Sequence, residues 1–305
     1  MLDERDGVVE IAVAKYAGFC PGVRRAIRIA EKTLENSSGK VCTVGPLIHN
    51  PQVVKGLEDM GIAILPDDRQ ALREADIAGT SIIIRSHGIS PQVKKMLEGK
   101  GAELVDATCP TVKKAQRAAI RLVDEGYNLF MVGNADHPEV KAILGHINGE
   151  AVVISEPHEL KDWWSHQHRR VRKVGIIAQT TVDLFMFRSL VDELVTEIPE
   201  FISEVMEVKL INTLCRNTLA RQAEAFQLAL SSDFVLVLGG KESSNTEFLR
   251  KICELSGAAT LKIETADELD VSRLQGVERL AILGGASTPI GIVHEVREKA
   301  LSATR

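Results

Sequence analysis

Cys20, Cys109 and Cys215 are the residues whose type and spacing point most plainly to chemistry. Each is followed by a segment of helical period with basic residues in its first turns, then by an apolar run ending in glycine: Val44-Gly45, Val132-Gly133 and Leu238-Gly239. Four residues past that glycine stands a polar group, His49, His137 or Ser243, which lies 29, 28 and 28 residues beyond its cysteine. A second polar turn follows a later apolar run in each unit: Ser86-His87-Gly88, Gln179-Thr180-Thr181 and Ala286-Ser287-Thr288. A single cysteine would be read as a small buried hydrophobe. Three at matched positions suggest a shared task, and three thiolates at one point suit zinc or an iron–sulfur cluster. A structural zinc wants a fourth ligand, whereas a cubane with three protein thiolates leaves one iron open. No ferredoxin-like Cys-x-x-Cys loop is present, so the threefold pattern carries this reading. Cys42 and Cys253 have no counterparts in the other units and are read as core residues.

His49, His87 and His137 fall in turns bearing Gly or Pro, where imidazoles can donate to phosphate oxygens, accept protons or bind metal. With Ser243, Ser244, Asn245 and Ser287 they read as an anion cradle, and helix starts at Pro51, Pro138, Asn245 and Pro289 add backbone N–H groups and a favourable dipole. No Walker-type phosphate loop is present. Glu139 sits at a predicted helix start; it either complements the helix dipole or, if buried, serves as a proton donor. Thr180 is assigned to the site, while Thr181 fits either the site or a helix N-cap. His146, His158, His166, His168 and His294 lie outside the repeated turns and read as structural or solvated.

The elements that must position these groups are short. Strands are predicted at Val8–Val13, Lys40–Val44, Ser81–Arg85, Asn128–Val132, Ala151–Ile154, Lys173–Ala178, Phe234–Leu238 and Arg279–Leu283. Helices are predicted at Val23–Leu34, Pro91–Glu98, Val112–Glu125, Pro138–Gly145, Leu184–Glu197, Leu219–Leu230, Glu247–Leu255 and Pro289–Ala300. The stretch Lys161 to Lys173 reads as a surface segment. Alternation of this kind predicts an α/β fold with mostly parallel sheets. The threefold repeat predicts three similar α/β domains, 1–108, 109–212 and 213–305, about a pseudo-threefold axis. Ligands of open parallel sheets gather at the carboxyl ends of strands, where all the repeated turns lie.

Composition is that of a globular protein: 45% hydrophobic, 26% charged and only 4% aromatic, so the core must be aliphatic. A net charge of −5 gives no case for nucleic-acid binding. No apolar run reaches the roughly 20 residues of a membrane helix. Met1 to Asp6 is mostly charged, with no signal-peptide core, and five cysteines make no disulfide scaffold, so a cytoplasmic location is expected.

These residues carry a resemblance. Gly18-Phe19-Cys20-Pro21-Gly22-Val23, Gly45-Pro46-Leu47-Ile48-His49-Asn50, Arg85-Ser86-His87-Gly88 and Asp106-Ala107-Thr108-Cys109-Pro110 begin the series. His137-Pro138-Glu139-Val140, Gln179-Thr180-Thr181, Asn212-Thr213-Leu214-Cys215, Ser243-Ser244-Asn245 and Gly285-Ala286-Ser287-Thr288-Pro289 complete it. In joint order and spacing the chain resembles the 4-hydroxy-3-methylbut-2-enyl diphosphate reductase family, the LytB-type iron–sulfur reductases, over nearly its full length. The resemblance implies a cloverleaf-like arrangement of three domains around a central 4Fe–4S cluster ligated by Cys20, Cys109 and Cys215. It implies reduction of an allylic alcohol diphosphate to isopentenyl and dimethylallyl diphosphate. Glu139 would supply protons, Thr180 would orient the hydroxyl with His137 close by, and His49, His87, Ser243, Ser244, Asn245 and Ser287 would hold the diphosphate. A ferredoxin- or flavodoxin-type carrier would supply electrons, with no nucleic-acid or membrane partner. The chain departs from the family pattern at Gln116, where His is frequent, at Asn217, where Ala is usual, and in the order Asn134-Ala135-Asp136. Other readings are a divergent cluster enzyme on another small diphosphate and a non-catalytic redox sensor.

Overall fold

A computed structural model describes residues 9–303 apart from 157, 167–169 and 198, and describes no side chain at 199, 200 or 202. Val8 of the first predicted strand and His168 lie outside the described residues. The chain begins with β1 (Glu10–Val13), α1 (Pro21–Asn36), β2 (Val41–Val44), α2 (Pro51–Asp59), β3 (Ile62–Leu65) and α3 (Arg69–Glu74). Next come β4 (Ser81–Ile84), α4 (Pro91–Gly99), β5 (Glu103–Asp106), α5 (Pro110–Asp124), β6 (Asn128–Val132) and α6 (Pro138–His146). Then follow β7 (Ala151–Ile154), α7 (His158–Ser165), β8 (Lys173–Ala178), α8 (Leu184–Thr196), α9 (Pro199–Glu204) and β9 (Glu207–Leu210). The last elements are α10 (Arg216–Leu230), β10 (Phe234–Leu238), α11 (Ser244–Leu255), β11 (Ala259–Ile263), β12 (Arg279–Gly284) and α12 (Ile290–Ala303). Among the described residues no helix is long and apolar enough to cross a membrane.

The strands form three four-stranded, all-parallel sheets of one topology, giving an α/β protein of three similar domains. Their orders are β3-β2-β4-β5, β7-β6-β8-β9 and β11-β10-β12-β1. The fourth place of the third sheet is thus taken by the first strand of the chain, with Glu10 opposite Arg279 and Val13 opposite Ile282. By sequence β1 falls in the range 1–108, but its hydrogen bonds put it beside β12, because β5 already fills the edge next to β4. Every cysteine of the repeat consequently follows the fourth strand of a sheet: β1, β5 and β9.

The residues group into two compact units. One comprises the chain through Val23, His49–Val53 and Arg216 onward; the other comprises Arg24–Ile48 and Val54–Cys215. In the first unit, alternate residues of the central strands face opposite cores. Leu236, Leu238, Leu280 and Ile282 pack with Ile292, Val293 and Val296 of α12, while Val235, Val237, Ala281 and Leu283 pack with Ala225, Ala229, Leu249 and Cys253. This is the burial on both faces that parallel sheets require. In the second unit, Ala115, Ala119 and Leu122 of α5 and Val140 and Ile143 of α6 cover Leu129, Met131 and Ile177. Val44, Ile82 and Ile84 pack with Leu72 and Leu97. The stretch from Lys161 is not simply surface: α7 buries Trp164, which stacks on Phe130 at 6.2 Å and meets Phe201 edge-on at 5.8 Å.

Candidate functional site

All three repeat cysteines are half-buried and anchored in one way. The backbone N–H of Cys20 donates to the Ala286 carbonyl, that of Cys109 to Ser86 and that of Cys215 to Thr180, each at 2.9 Å. Each thiol is therefore pinned to the second polar turn of its own sheet, at the carboxyl end of the strands. Proline at the first helical position continues the chain into α5 without needing an N–H, and the Cys109 side chain, although at the cap position, makes no capping bond. The Val23 N–H approaches the Cys20 Sγ at 3.4 Å. By contrast Cys42 and Cys253 are buried, and burial pushes both thiols up, that of Cys253 to about 12. They are inert core residues.

The same anchoring corrects the register of the repeat. Since Ser86, Thr180 and Ala286 are equivalent, the counterpart of His87 and Ser287 is Thr181, one residue past Thr180. Gly88, Val182 and Thr288 confirm this, because each donates its N–H to the carbonyl three residues back. Thr181 is not a helix cap: Asp183 caps α8 by accepting from the Met186 N–H at 2.7 Å, and the Thr181 hydroxyl accepts from Gln179 Nε2 at 2.9 Å. The first polar turn shifts likewise. His137 and Ser243 cap α6 and α11, but the matching cap of α2 is Asn50, whose Oδ1 accepts from the Val53 N–H at 2.9 Å. His49 stands one residue earlier.

In the second unit, Cys109, Cys215, His87, His137, Glu139, Thr180 and Thr181 are held on parallel-sheet turns. Glu139 is 1% exposed. Both its oxygens accept from Thr180, one from the N–H at 2.7 Å and one from the hydroxyl at 2.8 Å. Burial pushes the Glu139 carboxyl up to about 7, against the two bonds from Thr180 that pull it down. The ordinary helix-dipole role does not explain a carboxyl so placed. The Glu139 N–H donates to His137 Nδ1 at 3.2 Å, so the His137 proton resides on Nε2, where it can be donated. His87 meets the His137 ring edge-on, with centroids 5.4 Å apart. One bonded chain thus links Cys215, Thr180, Glu139 and His137.

In the first unit, Cys20, His49, Ser243, Ser244, Asn245 and Ser287 are present. The Ser243 Oγ accepts from the Thr246 N–H at 3.3 Å. The Ser287 hydroxyl donates to the His49 carbonyl at 3.0 Å, and Gly240 packs so close to the same carbonyl that a Cβ on it would lie 2.9 Å from the oxygen. Asn245, 4% exposed, carries a side-chain amide with neither atom hydrogen-bonded among the described residues. A buried amide left unpaired costs about 1–3 kcal/mol, and this one stands at the positive end of a twelve-residue helix. The free Nδ2 could donate to a ligand with acceptor oxygens.

Comparison with known proteins places the chain in a family. The family model described as LytB protein matches residues 11–301. The chain belongs to the LytB family. Among LytB relatives, the 4-hydroxy-3-methylbut-2-enyl diphosphate reductase of Aquifex aeolicus is 40% identical, with 96% of each chain covered. That of Geobacter sulfurreducens is 40% identical over 95% of this chain and 96% of its own. A solved structure of (E)-4-hydroxy-3-methyl-but-2-enyl diphosphate reductase, the terminal enzyme of the non-mevalonate pathway, is 39% identical, with a TM-score of 0.68, and covers 96% of this chain and 99% of that one. The Plasmodium falciparum structure, at 24% identity and a TM-score of 0.85, shares the fold over 95% of this chain and 87% of its own.

Against the LytB pattern, Gln116 is the departure with a visible neighbour. It is buried, and a Cβ on Gly88 would lie 2.8 Å from its Nε2; Gly88 also holds φ +79°. Gln116 therefore packs on the turn that presents His87. Sequence reasoning missed two residues that hold loops beside the candidate site. Asn50 could have been found as an Asn directly before a helix-opening proline. Arg221 left only the trace of a cation on the buried face of a helix.

Proposed function

We propose that Cys20, Cys109 and Cys215 are the three protein ligands of one 4Fe–4S cluster, and that the assigned His, Ser, Thr and Asn residues bind the substrate. The chain is a 4-hydroxy-3-methylbut-2-enyl diphosphate reductase: two electrons and two protons convert the allylic alcohol diphosphate to isopentenyl or dimethylallyl diphosphate and water. The donor set fits the cluster, being three thiols presented after equivalent strands, with a backbone N–H near one sulfur of the kind that tunes cluster potential. When bound, such a cluster supplies the electrons and a Lewis-acidic iron. A ferredoxin- or flavodoxin-type carrier in the cytoplasm is the donor this reading implies.

The observation that carries the reading is Glu139. A buried carboxyl at about 7 is half-protonated near neutrality, and its proton lies beside the Thr180 hydroxyl that would orient the substrate oxygen. Glu139 delivers protons, and Thr180 relays or aligns. His137 donates from Nε2. Ser243, Ser244 and Asn245 take the diphosphate at the α11 start, with His49, His87, Thr181 and Ser287 as further contacts. A sensor has no use for the orphaned Asn245 amide. The test is turnover of the allylic diphosphate by anaerobically purified, iron-loaded protein with a chemical electron donor. Isopentenyl and dimethylallyl diphosphates are expected; a fully loaded protein that forms neither contradicts the reading.

A further inference from the structure

The three cysteine loops are not held alike. From the equivalent strand residues Leu104, Leu210 and Val13, five positions lead to Cys109 and five to Cys215, but seven lead to Cys20. The two short loops fold on themselves: Asp106 Oδ1 accepts from the Thr108 N–H at 2.9 Å, and Asn212 Oδ1 accepts from the Leu214 N–H at 3.0 Å. In the longer loop this place falls to Lys15, which cannot accept. Its backbone is bonded instead by α10. Glu224 accepts from the Lys15 N–H at 2.6 Å and the Tyr16 N–H at 3.0 Å. The Arg221 guanidinium donates to the Tyr16 carbonyl, to Gly18 at 2.7 Å and, across the loop, to Gly284 at 2.9 Å.

Arg221 is 6% exposed, and the backbone carbonyls of Tyr16, Gly18 and Gly284 accept from it. Burying a cation in this way is costly unless its donors are fully used. Packing of the repeat does not demand it, since the positions six residues after Cys20 and Cys109 are the buried alanines Ala26 and Ala115. The planar fork suits several carbonyls at once, as a lysine ammonium does not. Gly18, at φ +94°, turns the chain back toward Ala286 just before Cys20.

We propose that Arg221, assisted by Glu224, is a positioning residue that fixes the Tyr16–Gly18 loop and so sets Cys20 for metal ligation. The ligation clause rests on the reading of Cys20 as a cluster ligand; the loop clause does not. The test compares the native full-length chain with Arg221→Lys and Arg221→Met in two measurements. The first is alkylation of each cysteine of the metal-free protein by iodoacetamide, read by peptide mass spectrometry. The second is iron per chain after anaerobic loading. Cys20 alkylation should rise about tenfold in Arg221→Met and less in Arg221→Lys, with buried Cys253 of the same unit unchanged. Iron retention should fall in the same order. An unchanged Cys20 rate, a joint rise at Cys20 and Cys253, or failure of both variants to fold would each overturn the proposal, the last two by assigning Arg221 to the unit's general stability. Loosened Cys20 with undiminished iron would retain the loop clause and overturn its link to ligation, leaving the enzyme reading to its own assay.

Discussion

The Glu139 region and the Asn245 region differ in what they leave unfinished. Around Glu139 the carboxylate is fully engaged by the protein: two Thr180 donors take both its oxygens, and His137 accepts the Glu139 N–H. Around Asn245 a buried amide waits at a helix start with neither atom paired among the described residues. On the proposed reading the first region moves protons, and its effect should appear in the chemical step. The second would receive the diphosphate, and its effect should appear in binding. If that reading holds, a carboxylate satisfied by the protein alone acts in catalysis and a buried amide left unpaired among the described residues acts in binding.

The widest separation is expected for Glu139→Gln. It keeps the shape and loses the proton, so kcat should fall about 10²–10⁴-fold with KM nearly unchanged; steady-state kinetics with a chemical reductant check this, and unchanged kcat removes Glu139 from proton delivery. The same variant should alter stability in a pH-dependent way. A carboxyl raised from 4.5 to about 7 in the folded state binds protons more tightly than when unfolded. Native stability should therefore decline from about pH 5 to about pH 7, by about 3 kcal/mol at most, relative to Glu139→Gln. Denaturant titrations of both proteins at pH 5 and pH 8 measure the difference. Asn245→Ala should raise KM about 10–100-fold at little cost in kcat, and leave the unliganded Tm unchanged or higher, because an unsatisfied amide is removed. A collapse of Tm would show that the amide has a structural partner. Thr180→Val removes the hydroxyl that aligns the substrate oxygen, so kcat should fall, though less than in Glu139→Gln. The smallest effect is on its pH profile: the lost bond favours the charged carboxyl, so the alkaline limb of kcat, expected near 7 in the native enzyme, should move upward by about one unit.

The six central strands were all legible in the sequence, because burial on both faces makes them apolar at almost every position, as in Ser81–Ile84 and Phe234–Leu238. Four edge strands were not: Glu103–Asp106 and Glu207–Leu210 carry charges and are partly exposed, and Ile62–Leu65 and Ala259–Ile263 are half-covered, the latter with Lys262 among its residues. The exchange of β1 into the third sheet was also hidden, since no local pattern specifies which edge a strand joins. At the site, the cysteines and the polar turns were visible as a repeat. The alignment slipped by one at Thr180 and at His49, because loop lengths differ between units and only backbone bonding fixes equivalence. Arg221 was hidden for a related reason: its role depends on carbonyls some two hundred residues away in sequence.

Service of one cluster by three cysteines, each bonded through its backbone N–H to a second turn, is tested most directly by iron and acid-labile sulfide analysis, with an absorption spectrum, on anaerobically purified native protein and Cys109→Ser. About four irons and four sulfides per chain are predicted for the native protein, with cluster and activity lost together in the variant. One zinc per native chain, or a full cluster in Cys109→Ser, would contradict the account.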